Sequence, residues 1–137
     1  MKTLAEQTGY PVRSEWRLPG EPDVHPRADL MMVAPATFNT INKWALGISD
    51  NLALGLLNEA IGMKLPIVAF PYAKDGLVSH PAYGTHIQQL SAAGANIATK
   101  PSWNAQQKGG IYDWRDMTDR LLQKPRDGSI AARRVER

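Results

Sequence analysis

The chain has 137 residues, 43% of them hydrophobic and 21% charged, with a formal net charge of +3. This is the make-up of one globular domain with a core, and it excludes a disordered or fibrous class. There are no cysteines, which excludes disulfides, thiolate metal sites and a cysteine nucleophile.

The three histidines, His25, His80 and His86, show no metal-ligand spacing, so no metal is expected. No apolar run approaches the roughly 18 residues that cross a bilayer, and the start lacks a signal-peptide layout. A cytoplasmic protein without a membrane partner is therefore expected.

In chain order, residues 1–7 are helix-compatible, with Thr3 and Glu6 at capping-box spacing. Gly9 and Pro11 stop that helix. Residues 12–27 read as a connecting loop with a short strand candidate at 12–16. Leu30 to Ala34 is a continuous apolar run, the pattern of a parallel strand covered on both faces.

After "PATFN", read as a loop, Thr40 to Leu46 predicts a helix ended by Gly47. Ser49 or Asp50 is placed to cap a second helix that runs through Ile61 and closes at Gly62. Leu65 to Pro71 is the next buried strand. Pro81 suits the first turn of a helix reaching about Ala93, with Gly94 as its stop, and Asn96 to Ala98 is a third, shorter strand.

Asp113 to Gln123 carries Trp114, Met117, Leu121 and Leu122 at helical spacing. Residues 1–124 are thus expected to form the domain. Residues 125–137 are expected to be a basic, solvated tail; no aromatic residue is interleaved with its arginines, so no nucleic acid is expected as a partner. The alternation of strand and helix predicts an α/β fold with a parallel sheet and right-handed crossovers.

Two loops carry chemistry, "PATFNT" and "PYAKDGLVSHP". Each leaves the carboxyl end of a predicted parallel strand, the edge at which open α/β sheets bind ligands. A helix beginning near Asn39 or Thr40 offers unpaired backbone N–H groups, Asn39 adds an amide, and Thr37 and Thr40 add hydroxyls. On the loop alone, the simpler reading of these residues as helix caps comes first. Likewise Lys43 reads as a solvated helix residue, Phe38 and Trp44 as packing, His80 as a neighbour of the helix cap, His25 as exposed and His86 as surface or half-buried.

The stretch "PATFNTINKWALGISDNLALGLL" resembles the PASANT segment of the homo-oligomeric flavin-containing cysteine decarboxylases, which include phosphopantothenoylcysteine and lantibiotic decarboxylases. There the motif continues as N-K-x-A-x-G-I-x-D-N-L, reproduced here at Asn42, Lys43, Ala45, Gly47, Ile48, Asp50, Asn51 and Leu52. The resemblance covers roughly Leu4 to Ala98. It implies a three-layer flavodoxin-like (Rossmann-like) fold, with FMN as cofactor and Pro35, Ala36, Thr37, Phe38, Asn39 and Thr40 as cofactor-binding residues. It also implies a homo-oligomer built from trimers.

The family's second motif, P-x-M-N-x-x-M-W followed by N-P-A, falls in register on "PYAKDGLVSHPA". Pro71, Pro81 and Ala82 match, while Ala73, Lys74, Leu77, Val78 and His80 stand where the family has Met, Asn, Met, Trp and Asn. Lys74 and His25 are the catalytic candidates: Lys74 as a cation for a small anionic substrate, His25 as the nearest counterpart of the family's catalytic histidine. The departures point away from cysteine decarboxylation.

The family's opening strand and its Gly/Ser phosphate-holding loop have no counterpart here. The resemblance therefore implies an incomplete fold at the amino terminus and weak or no FMN binding by these residues alone. It also implies an apolar sheet edge at Leu30 to Ala34. Beside a flavin-dependent oxidoreductase or decarboxylase-like role stands the alternative of a non-catalytic oligomeric or regulatory subunit, or a fragment.

Overall fold

The computed structural model describes residues 2–23 and 25–98. The expected helix at 113–123 and the tail at 125–137 lie outside the described residues. The elements are α1 (Lys2–Thr8), β1 (Met31–Thr37), α2 (Phe38–Ala45), α3 (Leu52–Gly62), β2 (Ile67–Tyr72), α4 (Asp75–Val78), α5 (Pro81–Ala92) and β3 (Ala95–Ile97).

The strands form one parallel sheet in the order β1-β2-β3. Met31 stands opposite Ile67 and Thr37 opposite Tyr72, so the carboxyl ends of β1 and β2 lie side by side. Parallel neighbours need crossover connections, and α2–α3 and α4–α5 supply them.

Alternation along the strands sorts the side chains between two faces. On one face Ile67, Ala69, Ala95 and Ile97, with Met31 and Val33 beside them, pack against Ile41, Trp44, Leu54, Leu57 and Leu90 of the helices. On the other, Val68 and Phe70 cluster with Ala34 and Ala98. All four residues from Ile67 to Phe70 are buried, which bears out β2 as a buried strand; the run from Leu30 to Ala34, expected to be covered on both faces, instead leaves Leu30 and Met32 exposed among the described residues. Each fully buried large side chain, such as Ile41 or Phe70, contributes about 1.5–3 kcal/mol.

Several sequence expectations are corrected. Residues 12–16 form no strand; instead the Trp16 ring lies on Gly55 of α3, so close that a Cβ at Gly55 would sit 1.9 Å from the ring. Helix α1 begins at Lys2, so Thr3 stands inside it and not at the N-cap position. Strand β1 does not stop at Ala34 but continues through Thr37. Pro35 is tolerated there because β1 is bonded on one side only among the described residues; the Ala34–Pro35 peptide is cis and the register shifts between Val33 and Ala36.

Asn51, not Ser49 or Asp50, caps α3: its side chain accepts from the Leu54 N–H at 2.9 Å. Gly62 remains helical, and Lys64 takes the left-handed conformation beyond it, with φ 56°. The stops at Gly47 and Gly94 stand as expected, with φ 71° and 100°, a region that L side chains rarely enter.

Candidate functional site

Strand β1 passes directly into α2, without the loop expected at "PATFN". Thr37 is the last strand residue and also the N-cap: its Oγ1 accepts from the Thr40 N–H at 3.3 Å and lies 3.0 Å from Thr40 Oγ1. One short polar side chain thus ends the sheet and starts the helix. Thr37 is a cap, as the simpler reading had it, whereas Asn39 and Thr40 lie inside the first turn of α2.

The other residues of the segment are arranged around that junction. Ala36 is fully buried beneath it, Pro35 and Asn39 are exposed, and Phe38 is half-buried. Asn39 makes no side-chain hydrogen bond with a described residue, so its amide faces solvent in the first turn of α2.

Helix α5 begins beside the same junction. Pro81 opens it, and His80 caps it, with Nδ1 accepting from the Ala82 N–H at 3.1 Å. The Phe38 ring stacks on Tyr83, with centroids 6.1 Å apart and planes at 15°, and meets His80 edge-on at 5.7 Å and 75°. Burial raises the Tyr83 pKa above 10.0 and keeps its phenol protonated.

Further along the two helices His86 Nδ1 lies 2.7 Å from Asn42 Oδ1, and Gln89 Nε2 donates to the Ala45 carbonyl at 2.8 Å. These contacts advance along both helices in step, so α2 and α5 run parallel and present their amino ends together at the carboxyl edge of the sheet. That edge gathers the positive ends of two helix dipoles.

Lys74, at the N-cap of α4 just past β2, is exposed and forms no ion pair with a described residue. Lys43, read as a solvated residue, instead pairs with Asp50, and Asn58 Nδ2 donates to Ser49 Oγ at 2.8 Å and to the Ile48 carbonyl at 3.2 Å. The N-K-x-A-x-G-I-x-D-N-L pattern therefore builds the α2–α3 turn: a cation, its carboxylate, a left-handed glycine and a helix cap.

His25 is half-buried in the segment leading to β1, and its backbone N–H donates to Asp23 Oδ1 at 3.3 Å. Its connection runs to the amino end of β1, whereas the segment 35–40 lies at the other end.

A cavity of about 630 Å³ lies elsewhere, between residues 13–23 and α3, lined among others by Arg13, Trp16, Leu56 and Glu59. Its guanidinium groups are engaged: Arg13 is 3.7 Å from Asp23, and Arg17 donates to the Glu21 carbonyl at 3.2 Å. Size does not mark it as the functional centre, because the donors that would read a ligand stand at the strand edge.

Sequence reasoning missed the joining of His80 and Tyr83 to Phe38. The available signal was the helical spacing of Tyr83, His86, Ile87 and Leu90 on one side of α5 and of Phe38, Ile41 and Ala45 on α2.

A parallel α/β sheet with a polar and aromatic cluster at its carboxyl edge defines a ligand-binding domain of the open-sheet class. The Flavoprotein family pattern matches residues 11–125, and the chain belongs to that family. A cysteine/cysteine sulfinic acid decarboxylase from an unknown prokaryotic organism is 37% identical over 70 residues, 51% of this chain and 19% of that protein. The phosphopantothenoylcysteine decarboxylase of Mus musculus is 35% identical over 83 residues, 58% of this chain and 40% of that protein.

Among solved structures, the FMN-dependent cysteine decarboxylase SpaF superposes with a TM-score of 0.59 at 25% identity, covering 70% of this chain and 56% of that one. The fold is flavodoxin-like. The chain spans well under half the length of these two curated relatives. No helix among the described residues is long and apolar enough to cross a membrane.

Proposed function

We propose that this chain binds FMN at the carboxyl edge of β1 and β2, with the isoalloxazine ring against Pro35 to Thr40. It would serve in a flavin-dependent enzyme acting on a small anionic substrate beside Lys74. The observation that carries this reading is the exposed, unengaged Asn39 amide in the first turn of α2, beside the half-buried Phe38.

The residues present fit the ring. Asn39 offers a donor and an acceptor to its polar edge, and Phe38 offers an apolar surface to its face. No Gly/Ser-rich phosphate-holding turn stands at this edge among the described residues, so the fit does not extend to the phosphate. When bound, the flavin supplies redox or electron-sink chemistry. The protein's own part is to bind and orient the ring and, through Lys74, to attract an anion as a point charge. His25, on the segment that leads to the amino end of β1, has no part at this edge.

Titration of the purified chain with FMN, followed by quenching of flavin fluorescence, is expected to saturate, and Asn39→Ala to weaken binding while the fold is retained. Unchanged binding would reduce Asn39 to a surface residue. Lys74→Met is expected to leave flavin binding intact and to lower the affinity of a small carboxylate for the flavin-loaded protein.

The relatives' names support an enzyme and the family resemblance a homo-oligomer built from trimers; a cytoplasmic location is part of the same proposal. The ring-only fit favours a second reading, a subunit that completes its site with a partner. Flavin retained only after mixing with a phosphate-binding partner chain would select it.

A further inference from the structure

We infer that His80 and Tyr83, on α5 and outside the 35–40 segment, belong to the flavin-ring site, with His80 as an orienting hydrogen-bond donor. This rests on the reading of the strand edge as an FMN site. Two positions at which the chain departs from the family's motifs, Phe38 in place of a small Ala and His80 in place of Asn, touch each other across 5.7 Å.

Together with Tyr83, stacked at 6.1 Å, they turn the meeting point of two helix starts into an aromatic wall. Such a wall offers a planar conjugated ring both offset-stacked and edge-on contacts. Mere packing between α2 and α5 would be served by aliphatic side chains. The cap of α5 accounts for Nδ1 of the exposed His80 ring but leaves Nε2 without a task.

The cap settles how that imidazole is used. Nδ1 accepts from the Ala82 N–H, so in the neutral ring the proton sits on Nε2. His80 therefore presents an Nε2–H donor beside the Phe38 ring, suited to a carbonyl oxygen or ring nitrogen on the polar edge of a flavin.

The test compares wild type, His80→Asn and Phe38→Leu in titrations with FMN and with riboflavin, the same ring without its phosphate. Fluorescence quenching and the position of the visible flavin band are followed. Asn keeps the cap of α5, and Leu keeps apolar volume at α2, so both variants are expected to fold, as circular dichroism will show.

Expected are affinities for both flavins about threefold to tenfold weaker in His80→Asn, as for one lost hydrogen bond. A visible band displaced toward that of free flavin is expected in Phe38→Leu. Wild-type affinity and an unmoved band in both variants would overturn the inference and leave the FMN site standing. Failure of the wild-type chain to bind either flavin would overturn both.

Discussion

Single side chains decide where the elements of this chain begin, and Asn51 shows how. Its Oδ1 takes the Leu54 N–H at 2.9 Å while its backbone stays extended, at φ −150° and ψ 166°. Asp50, one residue earlier, is drawn off to Lys43 and Ser49 accepts from Asn58, so neither is left to cap the helix. Asn51→Ala is expected to lower stability by about 0.5–2 kcal/mol, with Asn51→Asp restoring most of it, read from urea midpoints. Equal midpoints for all three proteins would show that the cap is idle. The Lys43–Asp50 pair, with the lysine half-buried and the carboxylate exposed, is worth much less, at most about 1 kcal/mol.

Among the elements, the pairing of α2 with α5 builds the proposed site. Their amino ends meet through Phe38, His80 and Tyr83, and the link between His86 and Asn42 joins residues 44 positions apart in the chain. A part-buried imidazole–amide contact of 2.7 Å couples its partners, because truncating one leaves the other's polar group without a partner. A double-mutant cycle of Asn42→Ala and His86→Ala is expected to give an interaction energy of about 0.5–3 kcal/mol. Additive losses would mean that the two helices are held by apolar packing alone. Buried Trp44 adds to that packing, although its indole N–H has no partner among the described residues.

At the scale of the whole molecule the sheet presents β1 as an edge among the described residues, with Leu30 and Met32 45% and 46% exposed. An apolar edge with free backbone groups invites another strand, and a lysine on it discourages one. Met32→Lys is expected to shift sedimentation toward smaller species with little change in the unfolding midpoint. An unaltered distribution would separate any self-association from this edge.

The strands at Leu30 and Leu65, the helix opened by Pro81 and the stops at Gly47 and Gly94 were legible in the sequence because apolar runs, proline and glycine act on the few residues around them. Several features were not legible. The run of β1 through Thr37 depends on β2 pairing beyond the register shift, and the capping by Asn51 depends on Asp50 being taken by Lys43. The ring cluster at the strand edge depends on two helices, distant in the chain, docking in parallel on one face of the sheet. The sequence by itself thus determined the three parallel strands, the main helices between them, their order and the family motif. Only the tertiary structure decided which side chains share the site, since contacts across tens of residues arise from packing and leave no local pattern.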